Sequence, residues 1–221
     1  MIIPAILEKD FNEIEKRVAL VEGLSKEVQI DVLDNTLIKE ETFLDLPKLN
    51  QLNTTADISV HLMVEKPADF VEKYEKSCLD MSIKKKVVSI FITQFVSDDN
   101  LTSFFDACKR FKYISGISVN YDQDISLLKP ILERISIVQF MGVIPGKQGN
   151  EFIPEVIQKI SDFKEEFPNA KTQIDGGVNK QNISEILKSG VDNIVAGSAI
   201  FNTSNPRDEM LEFLKILGDE R

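Results

Sequence analysis

The chain has 221 residues, 43% of them apolar, and 36 acidic against 26 basic side chains give a net charge of −10. That balance argues against nucleic acid or an anionic membrane as the main partner. A small anionic ligand stays open, because a backbone pocket binds phosphate whatever the global sign. No stretch approaches the roughly 20 apolar residues of a membrane span, and residues 1–7 lack the basic start of a secretory leader. Cys78 and Cys108 have no metal-type spacing, so reduced thiols in a cytoplasmic protein are expected.

In chain order, a buried strand is predicted over 2–6. Phe11, Ile14, Val18 and Val21 then share one helical face, with Asp10 as N-cap and Glu13 placed to close a capping box. Apolar runs suited to strands follow at 28–33 and 58–64. The lysine-rich stretch 76–86 reads as a solvated loop or helix end. Further strands are predicted over 87–91, 116–119, 135–141, 172–174 and 193–195, and a helix from an Asn179 cap to a C-terminal Gly190. Strands alternating with helical patterns imply a parallel sheet, and this many units favour closure. The expected fold is an α/β, (β/α)8 TIM barrel forming a single domain over 1–221.

Such a barrel carries its site at the C-terminal strand ends, and residues two apart on a strand share a face. Gln29 and Asp31 are therefore neighbours, as are Ser59, His61 and Met63, and as are Gln173 and Asp175. His61 is the only histidine, so no His-rich metal site can form. It reads either as a core histidine with a satisfied hydrogen bond or as a member of a site at the barrel mouth.

Seven segments together resemble the ribulose-phosphate 3-epimerases: residues 4–7 with Asp10-Phe11, 30–34, 60–64, 141–146, 148–154, 175–178 and 195–201. The resemblance spans nearly the whole chain. It implies Asp31 and Asp175 as paired acid and base around an enediolate. It also implies a divalent metal (zinc, iron, manganese or cobalt), here held by Asp31, His61 and Asp175. A small phosphorylated sugar as partner and a homo-oligomer follow from the same likeness. Gly176-Gly177 and Gly197-Ser198 fall after the seventh and eighth strands, where such barrels bind phosphate. Gly146 and Gly149 lie on a loop able to close over it, and Met63 and Met141 match substrate-side methionines.

The chain departs from the pattern at the centre of the site. Gln29 stands where the family has a histidine ligand, Ala5 for a serine, Phe91 for a histidine and Leu33 for a methionine. Ile144 replaces an asparagine, and Lys147-Gln148 a Phe-Gly pair. Gln29 as a ligand and Gln29 as a barrel-filling polar residue are both open. The expected activity is epimerisation of a ketose phosphate at C3. A silent phosphosugar-binding barrel, acting as a sensor or assembly subunit, is the alternative. A decarboxylase or aldolase is less favoured, because no predicted strand carries a lysine.

Overall fold

Parallel strands β1 (Ile2–Ile6), β2 (Glu27–Leu33), β3 (Asp57–Met63), β4 (Val87–Thr93), β5 (Ile114–Val119), β6 (Ile137–Met141), β7 (Lys171–Asp175) and β8 (Asn193–Ala196) pair in chain order. The ring closes through β1 and β8. This computed structural model describes residues 1–81, 85–93, 98–145 and 149–219. Each predicted strand is present; the sixth starts at Ile137 instead of residue 135.

Strand alternation divides the apolar and polar residues between the two faces of the closed sheet. Ile30, Val32, Val60, Leu62, Ile90, Ile92 and Ile117 belong to one continuous core packed with residues of the surrounding helices. Inside the barrel, Ile3, Ala5 and Val195 form a separate small apolar cluster. The interior is otherwise rich in polar groups: Gln29, Ser59, His61, Ser89, Ser118, Gln139 and Gln173 are all buried. Polar groups removed from water need hydrogen-bond partners, and Gln29, His61, Ser118, Gln139 and Gln173 find theirs across the lumen, save for Gln173 Oε1.

Helices α1 (Phe11–Val21), α2 (Pro67–Met81), α3 (Asp98–Phe111), α4 (Glu155–Glu166), α5 (Ile183–Lys188), α6 (Ser198–Phe201) and α7 (Pro206–Asp219) lie among the connections. Asp10 caps α1 as expected, accepting from the backbone N–H groups of Asn12 at 2.8 Å and Glu13 at 3.4 Å. The Glu13 carboxylate pairs with Lys16 at 2.5 Å. After β2 and β5 the chain winds as 3-10 helices, Leu46–Gln51 and Ile125–Arg134. Pro130 lies inside the second, where it cannot donate the hydrogen bond that an α-helix needs. The Asn179 cap is displaced: α5 begins at Ile183 with Asn182 as its N-cap, and the Asn179 side-chain oxygen accepts from Gln181 and Asn182 in the turn before it. Gly190 ends it in the left-handed region, φ +83°.

The first part of the lysine-rich segment is the expected helix end, and only its last two lysines depart from a solvated run. Helix α2 runs to Met81, and residues 82–84 lie outside the described residues. Lys85 is half-buried and pairs with Glu75 at 2.5 Å; the Lys86 ammonium donates to the carbonyls of Leu52 and Thr54. These lysines are anchors and not a solvated run. Cys78 and Cys108 are buried free thiols, and among the described residues no helix is long and apolar enough to cross a membrane.

Candidate active site at the barrel mouth

Asp31 near the end of β2 and His61 on β3 are register partners; Asp175 ends β7 and pairs with Met141 of β6. Closure of the barrel brings all three together. His61 Nδ1 lies 3.7 Å from Asp31 Oδ1 and 3.6 Å from Asp175 Oδ2. Burial alone would lower the His61 pKa, but Asp175 and Asp31 outweigh it and push the imidazole up to about 9. Burial raises the Asp31 carboxyl, in part against its bonds to His61 and Gln29.

Further polar residues hold this cluster. Ser118 Oγ is 3.0 Å from His61 Nε2, so the ring is tied at the nitrogen opposite the carboxylates. Gln29 Nε2 donates to Asp31 Oδ1 at 2.8 Å and to Asp175 Oδ2 at 2.7 Å. Gln139 Nε2 donates to the same Asp175 oxygen at 3.0 Å and lies 3.2 Å from His61 Nδ1. Beneath them Gln173 Nε2 donates to Gln139 Oε1 at 2.5 Å and more weakly to Gln29 Oε1 at 3.5 Å. Gln173 Oε1 is buried without a partner among the described residues, a deficit of about 1–3 kcal/mol. Gln139 and Ser118 did not emerge from the sequence reading. The available signal was the same two-residue alternation, since Gln139 shares a strand face with Met141.

The donor set suits a cation. Two carboxylates and an imidazole offer ligand atoms all within 4.8 Å of one another, a mixture that suits zinc, iron, manganese or cobalt. Ser118 orients the imidazole as outer partners of ligating histidines do.

Asp31, His61 and Asp175 reach a cleft of about 560 Å³, including its open mouth. Met63, Met141, Gly149, Gly176, Gly177, Gly197 and Ser198 line the same cleft. Gly146, Lys147 and Gln148 lie outside the described residues. Gly176 and Gly177 have φ +96° and +71°, and a Cβ on Gly176 would meet Val143 at 2.5 Å. Both the backbone sign and the space demand glycine there. Ala5 lines the cleft as part of an apolar wall, Leu33 is fully buried, and Ile144 is exposed. Phe91 is fully buried, one strand over from His61, and its ring lies against Gly116. Among the described residues no lysine lines the cleft.

Fold and site together define a TIM-barrel protein with a buried two-carboxylate, one-imidazole centre at its C-terminal mouth. The sequence profile of the ribulose-phosphate 3 epimerase family matches residues 1–201. The chain belongs to the ribulose-phosphate 3-epimerase family, a family of isomerases. It is 28% identical to ribulose-phosphate 3-epimerase of Escherichia coli K12, over 100% of this chain and 98% of that one. The Synechocystis enzyme of the same name is 27% identical, over 93% and 89% respectively. Among solved structures, 3-hexulose-6-phosphate synthase of Salmonella typhimurium superposes with TM-score 0.76 at 13% identity, over 100% of this chain and 99% of that one. Orotidine 5'-monophosphate decarboxylase of Sulfolobus solfataricus gives 0.67 at 14% identity, over 99% and 98%. At such identities these two share the fold alone.

Proposed function

We propose that the protein epimerises a ketose phosphate at C3, interconverting D-ribulose 5-phosphate and D-xylulose 5-phosphate or a related pair. The observation that carries this reading is the disposition of the two aspartates. Asp31 Oδ1 and Asp175 Oδ2 are engaged by glutamine donors. Oδ2 of Asp31 and Oδ1 of Asp175 have no protein hydrogen bond among the described residues, on side chains that border the cleft. One carboxylate takes the proton from the carbon beside the ketone, and the other, as carboxylic acid, returns a proton to the opposite face. Burial that raises the Asp31 pKa favours its carrying a proton when the reaction needs an acid.

A divalent cation (zinc, iron, manganese or cobalt) held by Asp31, His61 and Asp175 would supply positive charge opposite the enediolate. In this reading Gly176, Gly177, Gly197 and Ser198 receive the phosphate with Gly149 beside them, and Met63 and Met141 face the sugar, all seven lining the same cleft. A cytoplasmic homo-oligomer belongs to the same proposal.

The test is solvent exchange. In D2O, untagged protein should introduce deuterium at C3 of D-ribulose 5-phosphate, followed by proton NMR. Asp175→Asn should slow this by about 10²- to 10⁴-fold, and metal analysis should find a divalent ion. If no pentulose or hexulose phosphate exchanges a proton, the proposal fails. A rise in melting temperature without exchange would then favour the silent phosphosugar-binding barrel.

A further inference from the structure

We infer that Gln29 is a positioning residue, which clamps Asp31 and Asp175 together through its amide nitrogen and contributes no atom to a bound cation. A metal at this mouth therefore has three protein ligands, with the remaining positions left to solvent or substrate. The inference rests on the cation-binding half of the proposal above and is independent of the substrate.

Hydrogen-bond polarity sets the direction of each amide. A carboxamide has a donor end and an acceptor end, and its partners decide which way it points. The end of Gln29 that touches Asp31 Oδ1 and Asp175 Oδ2 at 2.8 and 2.7 Å faces two acceptors, so it carries the nitrogen. An amide nitrogen so placed has no lone pair to offer a metal. In the state that takes up a cation, where His61 Nδ1 carries no proton, the end of Gln139 facing that nitrogen at 3.2 Å and Asp175 Oδ2 at 3.0 Å is nitrogen for the same reason. Both oxygens are thereby turned toward Gln173, whose single nitrogen serves them at 2.5 and 3.5 Å.

The three amides are thus locked as a set. For Gln29 to ligate through Oε1 it would have to turn over and point its nitrogen at Gln173 Nε2. Gln173 would have to turn in response, setting its own oxygen against Gln139 Oε1. Gln139 would then turn as well and place its oxygen 3.0 Å from an Asp175 carboxylate. All three side chains are fully buried, so bulk water does not reach these contacts. The unpartnered Gln173 Oε1 fits this picture, because with both neighbours presenting oxygens only its nitrogen finds partners.

The experiment loads untagged protein with Co²⁺ and compares the visible absorption of wild type, Gln29→Leu and Gln29→His. Gln29→Leu is expected to keep the wild-type band positions and intensities, since no ligand is lost. Its Co²⁺ affinity should fall roughly 10- to 100-fold, as when an outer partner is removed. Gln29→His should change the spectrum by adding a nitrogen ligand. A second measurement needs no variant: in wild type labelled with ¹⁵N-glutamine, the Gln29 side-chain NH2 should stay protected from exchange before and after Zn²⁺. A Gln29→Leu spectrum that signals a lost ligand overturns the inference. So does deprotection of that NH2 on adding Zn²⁺, or a wild type that binds no Co²⁺. Failure of sugar exchange with these results intact would remove the epimerase reading alone.

Discussion

Replacing Gly116 by alanine tests whether the barrel interior was rebuilt around Phe91. A Cβ at residue 116 would fall 2.1 Å from Cδ1 and 2.4 Å from Cε1 of the Phe91 ring, and 3.1 Å from the Ile137 carbonyl. Carbon atoms rest at about 3.5–4.0 Å, so the overlap with the ring exceeds an ångström. The ring is fully buried, and the Ile137 backbone limits retreat of the new methyl group. Overpacking of this kind costs about 1–3 kcal/mol, and the upper end applies because neither side can yield. For a chain of this length that corresponds to about 6–12 °C in melting temperature. Phe91→Leu alone should cost about 1–2 kcal/mol, while vacating the space that the methyl needs. The double variant should therefore be no less stable than Phe91→Leu by more than about 0.5 kcal/mol, giving a coupling of about 2.5–3 kcal/mol. Equilibrium urea unfolding of the four proteins measures this cycle. Strictly additive losses would refute the claim that Phe91 and Gly116 are matched. A matched pair explains how an aromatic ring stands beside His61 where the family places a histidine.

Other outcomes follow from the same geometry. Ser118→Ala removes the partner of His61 Nε2 and should weaken divalent-cation binding about 10- to 100-fold in a chelator competition, with the fold intact by circular dichroism. In metal-free protein the His61 pKa rises from 6.5 to about 9, so the folded state binds the proton more tightly than the unfolded chain. The stability this supplies is full below about pH 6.5 and disappears as pH rises through 9, so the metal-free melting temperature should fall across that window. Co²⁺ affinity should rise across the same window as the competing proton leaves. Asp10→Ala should cost about 1 kcal/mol in urea unfolding, because the N–H groups of Asn12 and Glu13 lose their acceptor.

Much of the fold was legible because it is written in short-range periodicity. Short apolar runs marked each strand, the Asp10 cap and the Gly190 terminus marked helix ends, and counting the units implied a closed barrel. The 3-10 connections after β2 and β5 were not foreseen, since an amphipathic pattern does not distinguish a 3-10 turn from an α-helix until a residue such as Pro130 is weighed. Lys85 and Lys86 were misjudged because a run of charge says nothing about Glu75 or the Leu52 and Thr54 carbonyls, which other elements bring to it.

In the site, the sequence by itself determined the chemical identities: Asp31, His61 and Asp175 at strand ends, glycines after β7 and β8, and a glutamine in place of a second histidine. Whether Gln29 ligates or fills space could not be read there, because a carboxamide's direction is set by its partners and not by its neighbours in the chain. Those partners arrive from β2, β6 and β7, and Ser118 from β5, only when the sheet closes. Tertiary structure decided which end of each amide faces the carboxylates, since donors and acceptors far apart in sequence must be satisfied at once in a lumen that excludes water.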